Sequence, residues 1–398
     1  MFVYKNGLTL KSEQIDIKII YIMAELLYQI NRNRNEPWNG IPPLPIKEEL
    51  YLTIEILQKL GDAKAALGKL QGRSIVIPNQ GMLINTITLQ EAKISSEIEN
   101  IFTTDDELYK AYSDKTTETE GASKEVLRYR EALWSGYHYL QASKAFNENY
   151  FILVFQAIKQ TKDTIRPAFA KVTINQGGSG PNSDQVIYTP PRDETIIHDR
   201  LKNLVNFLND DDQFKIDHLI KMAIAHFQFE AIHPFRDGNG RTGRVFNINY
   251  LTSKGLLDLP ILFLSRYILD HKDDYYSGLM GVSQRGDWKS WLLFMLRAVE
   301  HTSIQTYNKI NDIVSAKDSI LEHVKKEDGK LRKPEEMVGF LFTQPFTKVK
   351  HLVESGLYSE NTAREYLNRL CELKVLEKKE IEGHHYYLNL ELFRILSE

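Results

Sequence analysis

A single cysteine, Cys371, stands in a chain of 398 residues. That excludes an internal disulfide framework and a cysteine-rich zinc module. A reducing cytosol is the natural compartment, so a cytoplasmic location is expected. Neither sign of charge is in excess: 50 Lys and Arg stand against 53 Asp and Glu, a formal net of -3. No global field therefore draws the chain to nucleic acid or to an anionic membrane. No long hydrophobic run occurs either. The apolar-rich stretch Ile15–Ile30 is interrupted by Asp16, Lys18 and Glu25, and it sets Ile15, Ile19, Leu26 and Ile30 near one helical face. It reads as an amphipathic core helix, not a membrane span. The opening MFVYKNGLTL lacks the form of a signal peptide. What remains is an ordinary globular composition, 42% hydrophobic and 26% charged, long enough for about two or three domains.

Helical patterns dominate, so the expected class is mainly α. Ser12 is a candidate cap for a first helix running to about Asn31, and the Pro- and Gly-containing segment 35–45 breaks regular structure. A helix fits Lys47 to Leu60, Ala63 to Leu70 either extends it or forms another, and Gly72 to Leu83 carries turn signals. Thr88-Leu89-Gln90-Glu91 is a capping-box pattern, which predicts a helix over about 88–102. A long helical region follows from Arg128 to Lys159, with a break near Asn147. Between Thr161 and Glu194, glycines and prolines bracket two short extended runs, Lys171–Ile174 and Val186–Thr189, which read as a β-hairpin. Helices resume at Thr195–Leu208 and Lys215–Ile232; in the second, Ile216, Leu219, Ile220, Ala223 and Phe227 form a core stripe. Further helices fit Lys272–Met280 and Trp288–Asp312. The charged segment 325–334 reads as a linker, and beyond it three short helices and a two-stranded ribbon resemble a winged helix.

The chemistry concentrates in twelve residues, His233-Pro234-Phe235-Arg236-Asp237-Gly238-Asn239-Gly240-Arg241-Thr242-Gly243-Arg244. Gly238-Asn239-Gly240 falls where a loop becomes a helix. Glycines there permit φ > 0 and let backbone N–H groups form an anion nest at the positive end of the helix dipole. Arg241 and Arg244 are three apart, so both reach one side and offer planar grips on phosphate oxygens. Thr242 and Gly243 lie between them on the same turn. Asp237 is a hard oxygen ligand suited to Mg²⁺ bridging phosphates. His233 can accept a hydroxyl proton near neutral pH. His226, on the preceding helix, reads as a packed or surface histidine.

This run resembles the signature of the Fic family, HPFx(D/E)GNGRxxR, at every defined position. The resemblance implies a Fic-type helical core with a β-hairpin flap, an N-terminal helical region and a C-terminal winged helix. It implies domains at 1–110, 111–324 and 335–398, with the flap at about 170–192. It also implies an activity: His233 deprotonates a target hydroxyl, which attacks the α-phosphate of ATP, AMP is transferred and pyrophosphate leaves. Asp237 would then hold Mg²⁺. Gly238, Asn239, Gly240, Arg241, Thr242, Gly243 and Arg244 would bind the nucleotide. By the same resemblance, Ile187, Tyr188 and Thr189 form a docking edge for a target segment. Of the adjacent pair Tyr275 and Tyr276, Tyr276 is preferred near the adenine.

A second resemblance is regulatory. Ser95-Ser96-Glu97-Ile98-Glu99-Asn100 fits the family's inhibitory pattern, [S/T]xxxE[G/N]. In the family this glutamate pairs with the second signature arginine, here Arg244, and withdraws it from the γ-phosphate. The implied partners are a protein carrying a Tyr, Ser or Thr hydroxyl, the chain itself as a self-modification target, and a second copy as a homodimer. No membrane partner is expected. The alternatives are another nucleotidyl donor, removal of AMP with Glu99 positioning water, and a DNA-binding regulator. The last is disfavoured because residues 331–398 hold ten Lys and Arg against eleven Asp and Glu, whereas a DNA reader is normally basic.

Overall fold

The computed structural model describes residues 22–75, 80–114, 121–175, 186–381 and 383–397. It is mainly helical. After a short helical segment at 22–27 come α1 (Ile54–Ile75), α2 (Gln80–Ile98), α3 (Asp105–Asp114), α4 (Ala122–Ser143) and α5 (Glu148–Lys159). Strands β1 (Ile174–Asn175) and β2 (Val186–Tyr188) form an antiparallel pair. Then follow α6 (Glu194–Asn209), α7 (His218–Ile232), α8 (Asn239–Ser253), α9 (Leu264–Asp270), α10 (Lys272–Arg285) and α11 (Trp288–Glu327). The remainder runs α12 (Pro334–Leu341), β3 (Phe346–Thr347), α13 (Val349–Glu354), α14 (Glu360–Glu372), β4 (Leu376–Ile381), β5 (His384–Asn389) and α15 (Leu390–Ser397). The chain divides into two compact units. One comprises Met1–Leu60, Ile165–Arg236 and Lys272–Leu296; the other comprises Gly61–Thr164, Asp237–His271 and Arg297–Glu398.

The first unit is built around α7. Every residue from Leu219 to Ile232 is buried, so the helix is packed on all sides, not along one stripe. Even Lys221 is enclosed, with its ammonium 2.6 Å from Asp211. An aromatic cluster of Tyr28, Trp38, Tyr188, Phe227 and Trp288 meets edge to face, and Trp291 Nε1 donates to the Ala223 carbonyl at 2.9 Å. The Pro-rich segment has no ladder of its own, so side chains satisfy its backbone. Arg200 donates to Ile41 O, Gln228 to Pro42 O, and Asn203 both accepts from Leu44 N–H and donates to Leu44 O.

The second unit packs α2, α4, α5, α8 and α9 together. Phe146, Tyr150, Phe151, Phe246 and Tyr250 form its aromatic centre. The C-terminal sheet has the order β3-β5-β4, antiparallel throughout, with Gly383 at φ 76° in the β4–β5 turn. It is fastened to α3: the Tyr386 hydroxyl donates to Asp114 at 2.7 Å, and Lys348 pairs with the same carboxylate at 2.5 Å. Tyr109 of α3 meets Phe393 of α15 edge to face.

Several predicted boundaries move. The Ser12 cap, and Gly177, Gly178, Gly180 and Pro181, lie outside the described residues. The helix at 22–27 stops short of Asn31. Within the turn expected at Gly72–Leu83 the described residues are helical, since α1 continues to Ile75 and α2 begins at Gln80, while residues 76–79 lie outside the described residues. Thr88 is therefore mid-helix and not a cap. Its hydroxyl donates to Ile84 O, and burial of residues 86–92 carries the helix through the local capping signal. The Asn147 break is present: Asn147 caps α5 by accepting from Tyr150 N–H. The linker expected at 325–334 is helical up to Glu327. Helices α3 and α9 and strand β3 carried too short a periodicity to be read.

Gly136 sets how closely α4 approaches α5 and α8: a Cβ there would press on the Asn249 amide and lie 3.0 Å from Val154 and 3.1 Å from Tyr150. Alanine gains up to about 1 kcal/mol of helix propensity over glycine, but overpacking costs about 1–3 kcal/mol. Gly136→Ala should therefore lower stability by about 1–2 kcal/mol, read as a shift in the denaturant midpoint. A neutral or stabilising result would mean the three helices have slack here.

Candidate active site

In the first unit, α7 ends at Ile232 and His233 takes left-handed backbone, φ 49° and ψ 61°. A non-glycine residue pays about 1 kcal/mol or more for that conformation, so something must hold it. Arg166 does. It is 1% exposed; Nε donates to His233 O at 2.7 Å, and Nη2 donates to Pro191 O at 2.6 Å and Ile232 O at 3.3 Å. Its backbone N–H adds a bond to Pro234 O at 2.9 Å. A cation is thus spent on the orphan carbonyls of a helix C-terminus. Burial pushes the guanidinium down only to about 10, so it stays charged at neutral pH. His233 Nδ1 lies 3.3 Å from Glu230 O. A carbonyl only accepts, so this contact favours the proton on Nδ1 and leaves the Nε2 lone pair as the basic position.

Other predicted residues of this unit are placed differently. Ile187, Tyr188 and Thr189 are buried at 2%, 3% and 1% exposure. Tyr188 OH donates to Ala231 O and Thr189 Oγ1 to Arg34 O, while Thr189 O accepts from Trp38 N–H. Their side chains serve the core, so any docking on this strand falls to backbone. His226 is buried against Tyr275 OH at 2.9 Å and stacked on Trp291, a packing role. Tyr275 is buried in the same cluster, and Tyr276 is the partly exposed member of the pair.

In the second unit, Gly238 sits at φ 77° immediately before α8. Thr242 closes the first turn, its N–H and hydroxyl both donating to Gly238 O at 3.0 and 2.9 Å. The first intrahelical bond is made by Thr242 N–H, so the N–H groups of this first turn point out along the positive end of the helix, a geometry suited to an anion. Asp237 Oδ1 accepts from Gly238 N–H at 2.6 Å, and Oδ2 is 2.6 Å from Lys159 Nζ. Burial pushes the Asp237 carboxyl up, but Lys159, the Gly238 N–H and Arg241 outweigh it and hold it below its ordinary value. Arg241, 3% exposed, pairs with Glu125 of α4 at 2.9 Å.

Arg244 is 2% exposed and is held by the C-terminal end of α2 and the residue after it. Nε donates to Ser95 Oγ at 2.7 Å, and Nη2 donates to Ser95 O at 2.8 Å and Glu99 Oε1 at 2.7 Å. A Cβ on Gly240 would collide with Glu99 Oε1, so the Glu99 carboxylate also covers the glycine of the anion turn. Asn100 explains why Glu99 is at a helix end. It takes φ 62°, its N–H donates to Glu97 O, and Ile101 N–H donates to Ser96 O. This is a Schellman stop, which requires a residue tolerant of left-handed backbone, hence Gly or Asn after the glutamate.

Against this geometry, three family models match along the chain: the Fic/DOC family N-terminal model over 57–138, the Fic/DOC family model over 151–251, and the model for the C-terminal domain of SoFic-like protein adenylyltransferases over 317–392. The chain belongs to the Fic/DOC family. It is 33% identical over 134 residues to protein adenylyltransferase fic-1 of Caenorhabditis elegans, covering 34% of this chain and 24% of the relative. It is 37% identical over 90 residues to a probable protein adenylyltransferase of Aquifex aeolicus, covering 22% and 27%. The chain thus spans about a quarter of the length of these curated relatives. The fold resembles a crystallised Fic family protein from Desulfovibrio desulfuricans, with TM-score 0.53, 20% identity and coverage of 87% and 98%. It also resembles a Fic domain protein from Bacteroides thetaiotaomicron, with TM-score 0.50, 15% identity and coverage of 63% and 95%.

Four side chains near these residues were not legible in the sequence: Arg166 in the first unit, and Lys159, Glu125 and Glu91 in the second. None has a partner nearby in sequence. Only Glu91 carried a signal, as the last residue of the capping-box pattern, and that signal pointed to the wrong bond. Glu91 accepts from Ser265 N–H at 3.0 Å, from the Ser265 hydroxyl and from Tyr129 OH at 3.2 Å. It lies two turns before Glu99, so Glu91, Ser95 and Glu99 form one face of α2.

Burial pushes Glu91 up to about 7, against the Ser265 hydrogen bonds, the Arg244 charge and Tyr129. The unfolded chain ionises it near ~4.3. Folding therefore holds the proton more tightly, and stability falls as pH rises between those values. From pH 5 to 7 the wild type should lose about 2 kcal/mol relative to Glu91→Gln, which does not titrate. Denaturant unfolding of both proteins across that range checks this. A pH-independent difference would mean that the folded protein carries Glu91 ionised.

Proposed function

We propose that the chain is a protein adenylyltransferase that transfers AMP from ATP to a Tyr, Ser or Thr hydroxyl of a target protein, itself included. The observation that carries the reading is the unbroken signature from His233 to Arg244, with Gly238 left-handed ahead of α8. In this reading His233 Nε2 takes the hydroxyl proton. The freed oxygen bonds to the α-phosphorus, the bond to the bridging oxygen breaks, and pyrophosphate leaves with that electron pair. The turn Gly238-Asn239-Gly240, together with Thr242 and Gly243, holds phosphate oxygens, while Arg241 and Arg244 meet charge growing on the leaving group. Tyr276 is kept as the residue near the adenine.

A metal would share Asp237 with the triphosphate. Among the described residues no three His, Cys, Asp or Glu gather into a metal cage. A single exposed carboxylate beside an anion turn is the donor set that suits Mg²⁺, which uses one or two carboxylates and completes its shell with phosphates and water. Bound there, Mg²⁺ would supply Lewis-acid stabilisation of the pyrophosphate oxygens.

The same reading makes Glu99 a brake and Ser95 its companion. Both hold Arg244, and Asn100 fixes the helix end that presents Glu99. Residues 1–110, 111–324 and 335–398 are the proposed domains, the last as a winged helix. A packing, dimer or partner-binding role is favoured there over DNA reading. Arg364 is paired with Glu360 at 2.6 Å and Arg369 with Asp328, so neither arginine is held out for phosphate. A cytoplasmic location and a homodimer remain part of the proposal, and among the described residues no helix is long and apolar enough to cross a membrane.

Two measurements test the reading. His233→Ala should still bind ATP but lose AMP transfer by at least about 10²-fold, the lower end of positioned base catalysis; adduct at wild-type yield in mass spectrometry would remove His233 as the base. Glu99→Gly should raise self-modification by roughly 10- to 100-fold, since a charge-assisted grip is worth about 1.5–3 kcal/mol. Adding Arg244→Ala should cancel that gain, because both changes act on one pair. Unchanged transfer in a folded Glu99→Gly protein would leave Glu99 a structural ion pair.

A further inference from the structure

Lys159 and Asp237 are 78 residues apart in sequence, yet their charged groups meet at 2.6 Å. The contact is built at both ends of the lysine. Lys159 is the last residue of α5, where the helix dipole favours a cation. Its stem rests on Gly238: a Cβ at that glycine would lie 3.3 Å from both Cγ and Cδ of the lysine. Gly238 is thus needed twice, for its left-handed φ of 77° and for the seat of the lysine stem. The ammonium then reaches the Asp237 oxygen left over once Oδ1 has accepted from Gly238 N–H.

We propose that Lys159 is a positioning residue for metal binding: its ammonium holds the Asp237 carboxylate while no divalent cation is present and competes with that cation for it. The proposal rests on Asp237 being the metal ligand of the reaction proposed above. Mg²⁺ sits about 2.0–2.1 Å from a carboxylate oxygen. An ammonium at hydrogen-bond distance from the same carboxylate would then lie a few ångströms from a dication, so it must withdraw. Lysine is suited to this. Its charge is compact and its four-carbon stem is flexible, so the head can swing away while the stem keeps its seat and α5 stays still. A planar, forked guanidinium would leave less easily. The pair therefore keeps Asp237 oriented before the metal arrives, at the expense of metal affinity.

The test is Mn²⁺ binding, measured by electron paramagnetic resonance on the full chain in excess over α,β-methylene-ATP, which cannot donate AMP. Lys159→Met keeps an apolar stem and removes the charge. It should lower the half-saturating Mn²⁺ concentration by about 3- to 5-fold, the scale of a partly exposed ion pair. Lys159→Arg restores a cation and should return the half-saturation to within about twofold of wild type or raise it. Asp237→Asn separates the two readings. If Asp237→Asn loses Mn²⁺ binding while Lys159→Met binds as wild type or more weakly, competition is overturned and Asp237 stands as the ligand. If Asp237→Asn binds Mn²⁺ as wild type does, the metal assignment fails and the Lys159 proposal fails with it.

Discussion

One guanidinium organises the second unit. Arg244 is almost wholly buried, and a buried charge is tolerated only when paired and hydrogen-bonded. Ser95 supplies a hydroxyl and a carbonyl, and Glu99 supplies the counter-charge. Those partners come from α2 and the residue that follows it, so the end of that helix is held against α8 by this cation. Glu91 adds a third contact on the same face through Ser265 and Tyr129. The proposed inhibitory contact and a well-satisfied core are, in this arrangement, the same set of bonds. Release of Arg244 to a phosphate must exchange one charged partner for another, because leaving it unpaired would cost several kcal/mol.

The same logic extends to the other charged groups of the anion turn. Arg241 is matched by Glu125, and Asp237 by Lys159. Each residue that would meet a nucleotide or its metal has an intramolecular counter-ion. A helix N-terminus with two arginines is a strong anion site on its own; supplied with these partners it is neutral within itself. Nucleotide binding is then an exchange of ion pairs, and its selectivity lies in which replacements a triphosphate can make at once. A single small anion could replace one of the two carboxylates, Glu99 or Glu125, but not both, and only a cation could take the place of Lys159.

How much of this could be read from the chain follows from the range of each interaction. His233 to Arg244 was legible because the proposed function needs those residue types within one loop and one helical turn. Ser95, Glu99 and Asn100 were legible for the same reason: a spacing of four along a helix, then a residue that can turn left-handed. The helix carrying them was mislaid by eight residues at its start. Thr88-x-x-Glu91 is a sound capping pattern locally, but burial of the surrounding residues overrode it. Tyr188 shows the limit from the other side. Its place in an extended run was clear, yet only packing revealed that its ring belongs with Trp38 and its hydroxyl with Ala231.

The sequence by itself determined the mainly helical class, the signature, the element that ends in Glu99 and the absence of disulfide chemistry. Each depends on residues within a few positions of one another, where backbone geometry converts spacing directly into proximity. Tertiary structure alone decided the partners: Arg166 beneath His233, Lys159 on Asp237, Glu125 on Arg241 and Glu91 on Ser265. Each joins residues dozens of positions apart, or more than a hundred. A buried charge requires a counter-ion, but nothing in local pattern says which distant carboxylate or ammonium will be brought within reach; the packing of helices chooses it.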